Sequence, residues 1–332
     1  MEIKYGQGKT KATEMPGEEA LKRFFEQQLL AWPDAKQRFD DLKGVLLKPV
    51  ACANLTFYVQ CNPARLVSTG AKIDKTTLAQ RPCFLCEKNR PAVQTQMPIG
   101  NDFELLVNPF PILPLHFTIP AKRHQPQLIS EHYGVMRLLL ERFEHLIVFY
   151  NGPKCGASAP DHMHLQAGKG CHLPLLDSWE QLYNHRQTLL TSPDGTELVA
   201  INNYACPAFA IIGCDAKADE ALFKTLYKAL PQREDETEPM FNILKWREAE
   251  GYVTVIIPRH KHRPDCYSAE GDAQMLISPG ALDMAGLVIT PRKEDFERLN
   301  APLLEDLYKE VGMQRTTFEE VKRKLKEQGV KE

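Results

Sequence analysis

The sequence predicts an α+β fold, antiparallel sheets covered by helices, and three observations lead there. Short apolar runs with period-two alternation recur at 45–51, 55–60, 103–107, 116–119, 145–150 and 162–167, the spacing of strands. Two stretches carry helical spacing instead. Pro16-Gly17-Glu18-Glu19 opens a segment running to about Trp32 in which Leu21, Phe24, Phe25, Leu29 and Leu30 recur on one face. A second runs from Ser130 to about Glu144, with Val135, Leu138, Leu139 and Phe143 as its apolar side. Strands in blocks with helices between them suit an antiparallel sheet with a helical cover. The third observation is internal repetition. A slide of 138 residues superposes Phe103 on Phe241, Leu106 on Leu244, Ile119 on Ile257, Pro120 on Pro258, His124 on His262 and Pro126 on Pro264 without a gap, which predicts a duplicated strand-turn-strand unit.

Composition narrows the class. With 332 residues and 43% hydrophobic content, the chain can bury one large two-lobed unit or two domains. The 41 basic and 43 acidic residues nearly cancel, so no bulk field points to nucleic acid or a membrane surface, and any anion site must be local. Residues 1–20 hold no apolar core of a signal peptide, and the apolar runs are short and interrupted by Pro109, Pro111 and Pro114. No membrane partner and a cytoplasmic location are therefore expected. Nine cysteines with one close pair do not read as a disulfide framework.

The most informative stretch is His162-Met163-His164-Leu165-Gln166, entered through 151–161. On a strand, His162, His164 and Gln166 share one face, while Met163, Leu165 and Ala167 face a core. Gly152, Gly156 and Ser158 in the preceding segment offer backbone N–H groups and a hydroxyl to an anion. A pair of strand histidines is by itself more often structural than catalytic. The order of apolar strand, glycine loop and histidine strand makes phosphoryl chemistry the better reading.

Phe149-Tyr150-Asn151-Gly152-Pro153, Gly156-Ala157-Ser158-Ala159-Pro160 and His162-x-His164-Leu165-Gln166 resemble the histidine triad superfamily. The likeness is to its transferase branch: diadenosine tetraphosphate phosphorylases, GDP-hexose phosphorylases and galactose-1-phosphate uridylyltransferases. It implies a duplicated HIT-like fold. The expected organisation is an N-terminal helical segment at 1–40, a catalytic lobe at 41–192, and a degenerate lobe with C-terminal helices at 193–332. The resemblance further implies that His164 attacks the α-phosphorus of a nucleotide and that the backbone carbonyl of His162 orients it. Ser158 and the loop of Asn151, Gly156 and Ala157 would hold the phosphoryl oxygens, and Gln166 would donate to phosphate without acting as acid or base.

The same resemblance assigns nucleotide binding to Arg65 and Lys72 for the phosphates, Asn108 for a ribose hydroxyl and Phe110 for the base, although Phe110 reads equally well as a packing residue. Arg259, Lys261 and Arg263 form a dense basic turn, expected to hold an acceptor phosphate if it borders the cleft. The partners implied are a nucleotide substrate with phosphate or a sugar phosphate. A hydrolase on the same scaffold and a silent nucleotide-binding protein are the other readings.

Cys83-Phe84-Leu85-Cys86 places two thiolates within reach of one ion, and zinc requires two more ligands. His124 and His162 complete a Cys2His2 set in the order resembling uridylyltransferases with structural zinc. Redox use or plain packing are the other readings of such a pair, and the absence of a βαβ setting disfavours the first.

Overall fold

The structure is a computed structural model and describes residues 17–70, 73–169 and 172–329. Its strands are β1 (Leu46–Cys52), β2 (Leu55–Cys61), β3 (Met97–Ile99), β4 (Phe103–Val107), β5 (Leu115–Pro120), β6 (Ile147–Asn151), β7 (His164–Lys169), β8 (Arg186–Thr191), β9 (Glu197–Ile201), β10 (Ala208–Gly213), β11 (Phe241–Glu248), β12 (Gly251–Pro258) and β13 (Leu287–Thr290). Ten form one sheet in the order β3-β4-β5-β7-β6-β11-β12-β10-β9-β8, and β1-β2-β13 form a second. The α+β expectation holds. Every pairing in the large sheet is antiparallel; only β13 on β2 is parallel. The hairpin β1–β2 turns through Ala53 and Asn54, both at positive φ (50° and 64°). That combination matches the twist of the flanking strands.

The large sheet is two half-sheets joined at the pairing of β6 with β11, through Asn151↔Asn242 to Val148↔Lys245. Read outward from this seam, the first half runs β6, β7, β5, β4, β3 and the second β11, β12, β10, β9, β8. In each half a helix, Gly134–Arg142 or Ala216–Ala229, connects the third strand outward to the first. The repeated unit is therefore three strands, a helix and two strands. This corrects the 138-residue slide, which lays β4–β5 on β11–β12, hairpins at different places in their halves. Similar apolar hairpins produced that match. The strand equivalent to β7 is β12.

Alternation sends side chains of each strand to opposite faces. Val148 and Tyr150, Ile243, Phe209 and Leu165 join the core beneath the helices Glu18–Ala31, Pro33–Leu42, Gly134–Arg142, Ala216–Ala229 and Arg315–Gly329. Leu21 and Phe39 make the N-terminal helices part of this layer. The helix Pro33–Leu42 was not anticipated; it starts with proline at its first position, where the missing N–H costs nothing. On the other face, Leu244, Trp246, Val255, Ile257, Ala210 and Val199 pack against the small sheet and the helices Ala281–Met284 and Ala301–Val311. That cover lies over the second half. In the first half the same face carries His116, Thr118, His164 and Gln166 on β5 and β7. Among the described residues no helix is long and apolar enough to cross a membrane.

The segment leading into β11 ties the halves together through a buried carboxyl. Glu238 accepts from the Ile129 N–H at 3.1 Å and from the Tyr150 hydroxyl. Burial without a cation raises its pKa from 4.5 to about 8, so the fold favours the protonated form. A raised carboxyl contributes stability that is complete below its unfolded pKa and is lost as pH rises through the folded one. Parent protein should accordingly lose denaturant resistance between about pH 4.5 and pH 8. Glu238→Gln, titrated in the same buffers, should show a flatter profile; an unchanged slope would reject the assignment.

Candidate functional site

The site begins where two strands part. β6 and β7 pair from Ile147↔Gly168 to Phe149↔Gln166. In continued register the next facing pair of the same parity is Asn151 and His164. The buried carboxamide of Gln127 fills the gap there. Its Nε2 donates to the carbonyls of Asn151 (3.0 Å) and His164 (2.9 Å), and its Oε1 accepts from the His164 N–H (2.7 Å). Gln127 lies in an irregular segment, so periodicity gave no signal for it.

His164 opens β7 with its ring buried. Its Nδ1 stands 2.8 Å from the carbonyl of His162; a carbonyl only accepts, so Nδ1 carries the proton. The lone pair is on Nε2, which has no hydrogen-bond partner among the described residues. Burial, with the neighbouring His162 ring adding to it, pushes the imidazole down to about 4. His162 itself departs from the expected shared face. It precedes the strand, its Nε2 donates to the Ala121 carbonyl at 2.7 Å, and its Nδ1 turns to Cys83 at 3.2 Å. Its carbonyl and its ring thus serve different places.

Gln166 follows His164 on the same face. His116, fully buried on β5, accepts the Ile112 N–H at Nδ1 (3.1 Å), so its Nε2 must donate to Gln166 Oε1 (3.0 Å). Asn108 adds a longer donation to the same oxygen (3.5 Å), while its own Oδ1 accepts the Phe110 N–H. With the oxygen committed, the Gln166 NH2 is turned away from His116. Burial and the charge of Arg65 push His116 down to about 3, which keeps this pattern neutral. Arg65 is therefore close to the Gln166 wall. One nitrogen donates to the Phe110 carbonyl at 2.8 Å, and burial, opposed by Asp283, lowers it to about 10, still a cation at neutral pH. His116 was read only as part of a strand; no motif marked its role.

Asn151 ends β6 beside His164. Its Oδ1 accepts from Asn242 Nδ2 (2.9 Å) and from the Ala281 N–H (2.7 Å), which again commits the oxygen. The loop beyond it packs on the second half. Gly156 has φ +97°, and a Cβ there would lie 2.6 Å from the Gly280 Cα, so close backbone approach requires glycine. Ala157 is buried, Ser158 half-buried, and the Ser158 carbonyl accepts from Arg81 at 3.0 Å. The hydroxyl of Ser158 has no partner among the described residues.

Cys83, Cys86, His124 and His162 converge, with one donor atom from each within 4.8 Å of all the others. Cys86 Sγ lies 3.3 Å from His124 Nδ1 and 3.6 Å from His162 Nδ1. Two thiols and two imidazole Nδ1 atoms at these separations fit a tetrahedral zinc site. The far nitrogens are held as such ligands usually are, by the Ala121 carbonyl for His162 and by Asp161, 3.8 Å away, for His124.

In the basic turn, Arg259 cannot serve the expected acceptor site. Arg259 is buried, and its five N–H groups go to the carbonyls of Val311, Pro279, Lys261 and His262 and to Asn242 Oδ1. No donor is left for a phosphate. Lys261 pairs with Asp265 and Glu310. Arg263 lies on the Tyr267 ring and donates to Ser278 Oγ and the Thr69 carbonyl. Phe110 lies beneath the Arg38 guanidinium at 4.5 Å. Lys72 lies outside the described residues.

Residues 24–169 match the family described as "Domain of unknown function (DUF4922)", and residues 181–331 match "GDPGP1-like, C-terminal domain". No curated protein matches the sequence significantly. The yeast Ap4A phosphorylase Apa2 in complex with Ap4A superposes with a TM-score of 0.54 at 18% identity, over 90% of this chain and 99% of that one. Its AMP complex gives 0.54 at 18%, over 85% and 97%. An ADP-glucose phosphorylase from Arabidopsis thaliana with bound ADP-glucose covers 79% of this chain and 98% of its own, at 13% identity and a TM-score of 0.39. The chain shares the fold of the yeast Ap4A phosphorylase Apa2, and residues 181–331 match the GDPGP1-like C-terminal domain.

Proposed function

We propose that this chain is a nucleotidyltransferase of the phosphorylase type, which splits a nucleoside diphosphate sugar or a dinucleoside polyphosphate through a nucleotidyl-histidine intermediate. One observation carries the reading: His164 has its proton fixed on Nδ1 by the His162 carbonyl and its Nε2 unpartnered, between two amides whose oxygens are already committed. Such an imidazole can act as a nucleophile at phosphorus. The substrates named for the yeast enzyme and for the Arabidopsis phosphorylase, Ap4A and ADP-glucose, belong to the two donor classes proposed.

In the first step Nε2 attacks the α-phosphorus, the bond from phosphorus to the bridging oxygen breaks, and the remainder leaves with its phosphates. The NH2 groups of Gln166 and Asn151 and the Ser158 hydroxyl donate to the nonbridging oxygens as charge builds on them. Arg65 adds a fixed positive charge. In the second step an oxygen of inorganic phosphate attacks the same phosphorus, the P–N bond breaks, and a nucleoside diphosphate leaves. Gln166 cannot take a proton from water near neutral pH, which favours phosphate over hydrolysis. Zinc is the metal proposed for the Cys83, Cys86, His124 and His162 cluster. Its contribution would be structural, fixing the residue whose carbonyl aims His164.

Three outcomes are expected. His164→Ala should lower turnover by several orders of magnitude with nucleotide binding retained by calorimetry; turnover near that of the parent would remove the nucleophile assignment. Purified protein should carry near-stoichiometric zinc by mass spectrometry, and Cys83→Ser should lower both zinc content and melting temperature. A metal-free, fully stable preparation would leave the four residues as a packed cluster. With a panel of nucleotide sugars and dinucleotides, product should rise saturably with inorganic phosphate and be a nucleoside diphosphate. Undiminished cleavage to a monophosphate without phosphate would identify a hydrolase, and nucleotide binding without any cleavage a silent binding protein.

A further inference from the structure

The second half has no His-x-His-x-Gln run of its own, yet it reaches the proposed nucleophile through one residue. Asn242 on β11 pairs across the seam with Asn151 on β6 and is fully buried. Its Nδ2 donates to Asn151 Oδ1 (2.9 Å) and to the Cys155 carbonyl (2.7 Å), and its Oδ1 accepts from Arg259 Nη1 (2.8 Å). The orientation of this amide is forced. A guanidinium only donates, so the atom facing Arg259 must be oxygen and the NH2 must face Asn151 and Cys155. Asn151 must then offer its oxygen to Asn242, as the Ala281 N–H also requires. Its own NH2 is left for the cleft beside His164. At the other end Arg259 cannot swing, because its remaining four N–H groups are held by the carbonyls of Val311, Pro279, Lys261 and His262.

We infer that Asn242, locked by Arg259, is a positioning residue: it fixes which way the Asn151 amide faces and holds the phosphate loop at Cys155, so that the second half sets a donor for the chemistry of the first. The inference rests on the proposed reaction for its kinetic consequence, and on hydrogen bonding alone for the orientation itself.

The informative substitution is Asn242→Asp. A carboxylate keeps the contact with Arg259 and neutralises a buried cation that has no carboxylate partner among the described residues, so the fold should hold. It cannot donate and repels the Asn151 oxygen, which favours an Asn151 amide turned with its NH2 toward the carboxylate and its oxygen toward the substrate phosphate, against the pull of the Ala281 N–H. The expected kinetic result is a fall in kcat of about 100-fold, as for loss of a transition-state donor, with a much smaller change in KM. Asn151→Ala should show a similar loss, and the double variant should be no worse than Asn151→Ala to within about twofold. Losses that multiply would overturn the inference. A second readout needs no substrate. In ligand-free protein labelled with nitrogen-15, the Asn151 NH2 should exchange quickly with solvent in the parent and become protected in Asn242→Asp. An unchanged Asn151 amide would overturn the inference even if activity fell. If no donor is turned over by the parent, the proposed reaction fails while the exchange measurement still decides the orientation. Should Asn242→Asp not fold, Arg259→Lys, which keeps the charge and loses the fork, is to be read in the same two assays.

Discussion

Everything at the site depends on a gap in a β-ladder. β6 and β7 stop pairing short of Asn151 and His164, and the Gln127 side chain takes over the hydrogen bonds there. Two carbonyls and one N–H, all buried, would otherwise lack partners at a cost of about 1–3 kcal/mol each. An amide side chain can bridge strands that are too far apart to pair directly. The separation holds Asn151 and His164 facing one cleft without drawing them into a regular ladder, and a carboxamide in this place is more rigid than water would be. His164, the proposed nucleophile, thereby stands on strand backbone rather than on a loop, and its orientation is inherited from the sheet.

Duplication explains how a sheet this large can hold a polar surface. Each half has the same order of strands and the same connecting helix, and both bury one face beneath helices. They differ on the other face. Where β10, β11 and β12 present Ala210, Leu244, Val255 and Ile257 to the small sheet, β5 and β7 present His116, His164 and Gln166. The second half supplies the apolar mass that orders the seam, and the first is left with groups whose hydrogen bonds fix one another. Each imidazole in the chain of contacts carries its proton on the nitrogen its partner dictates.

Much of this was legible in the sequence where local pattern and chemistry coincide. The alternation at 162–167, the glycine loop and the Cys-x-x-Cys pair each confine their residues within a few positions, and the six strands read from alternation lie close to those observed. Reading stopped at tertiary packing. His162 fits an alternating strand, but its ring turns to the cysteines because the strand begins two residues later. Arg259 fits a basic surface turn, yet its neighbours in the chain fold their carbonyls around it. Gln127, His116 and Asn242 each act through an amide or imidazole partner 24 to 91 positions away, a relation with no periodicity to detect. The repeat was visible as similar hairpins, but strand order alone decides which hairpins correspond.

The parallel pairing of β13 with β2 has a consequence for the life of the chain on the ribosome. β1 and β2 are made before the other strands and His164 follows them, but the edge on which β2 is completed arrives only with Leu287–Thr290. Asn242 and Arg259 come in the same late stretch. A nascent chain that has already made His164 therefore has neither the finished small sheet nor the residues that hydrogen-bond its neighbour Asn151 from the second half. The surroundings of His164 are complete only once Leu287–Thr290 has been made, and a product truncated before it would carry that imidazole without its setting.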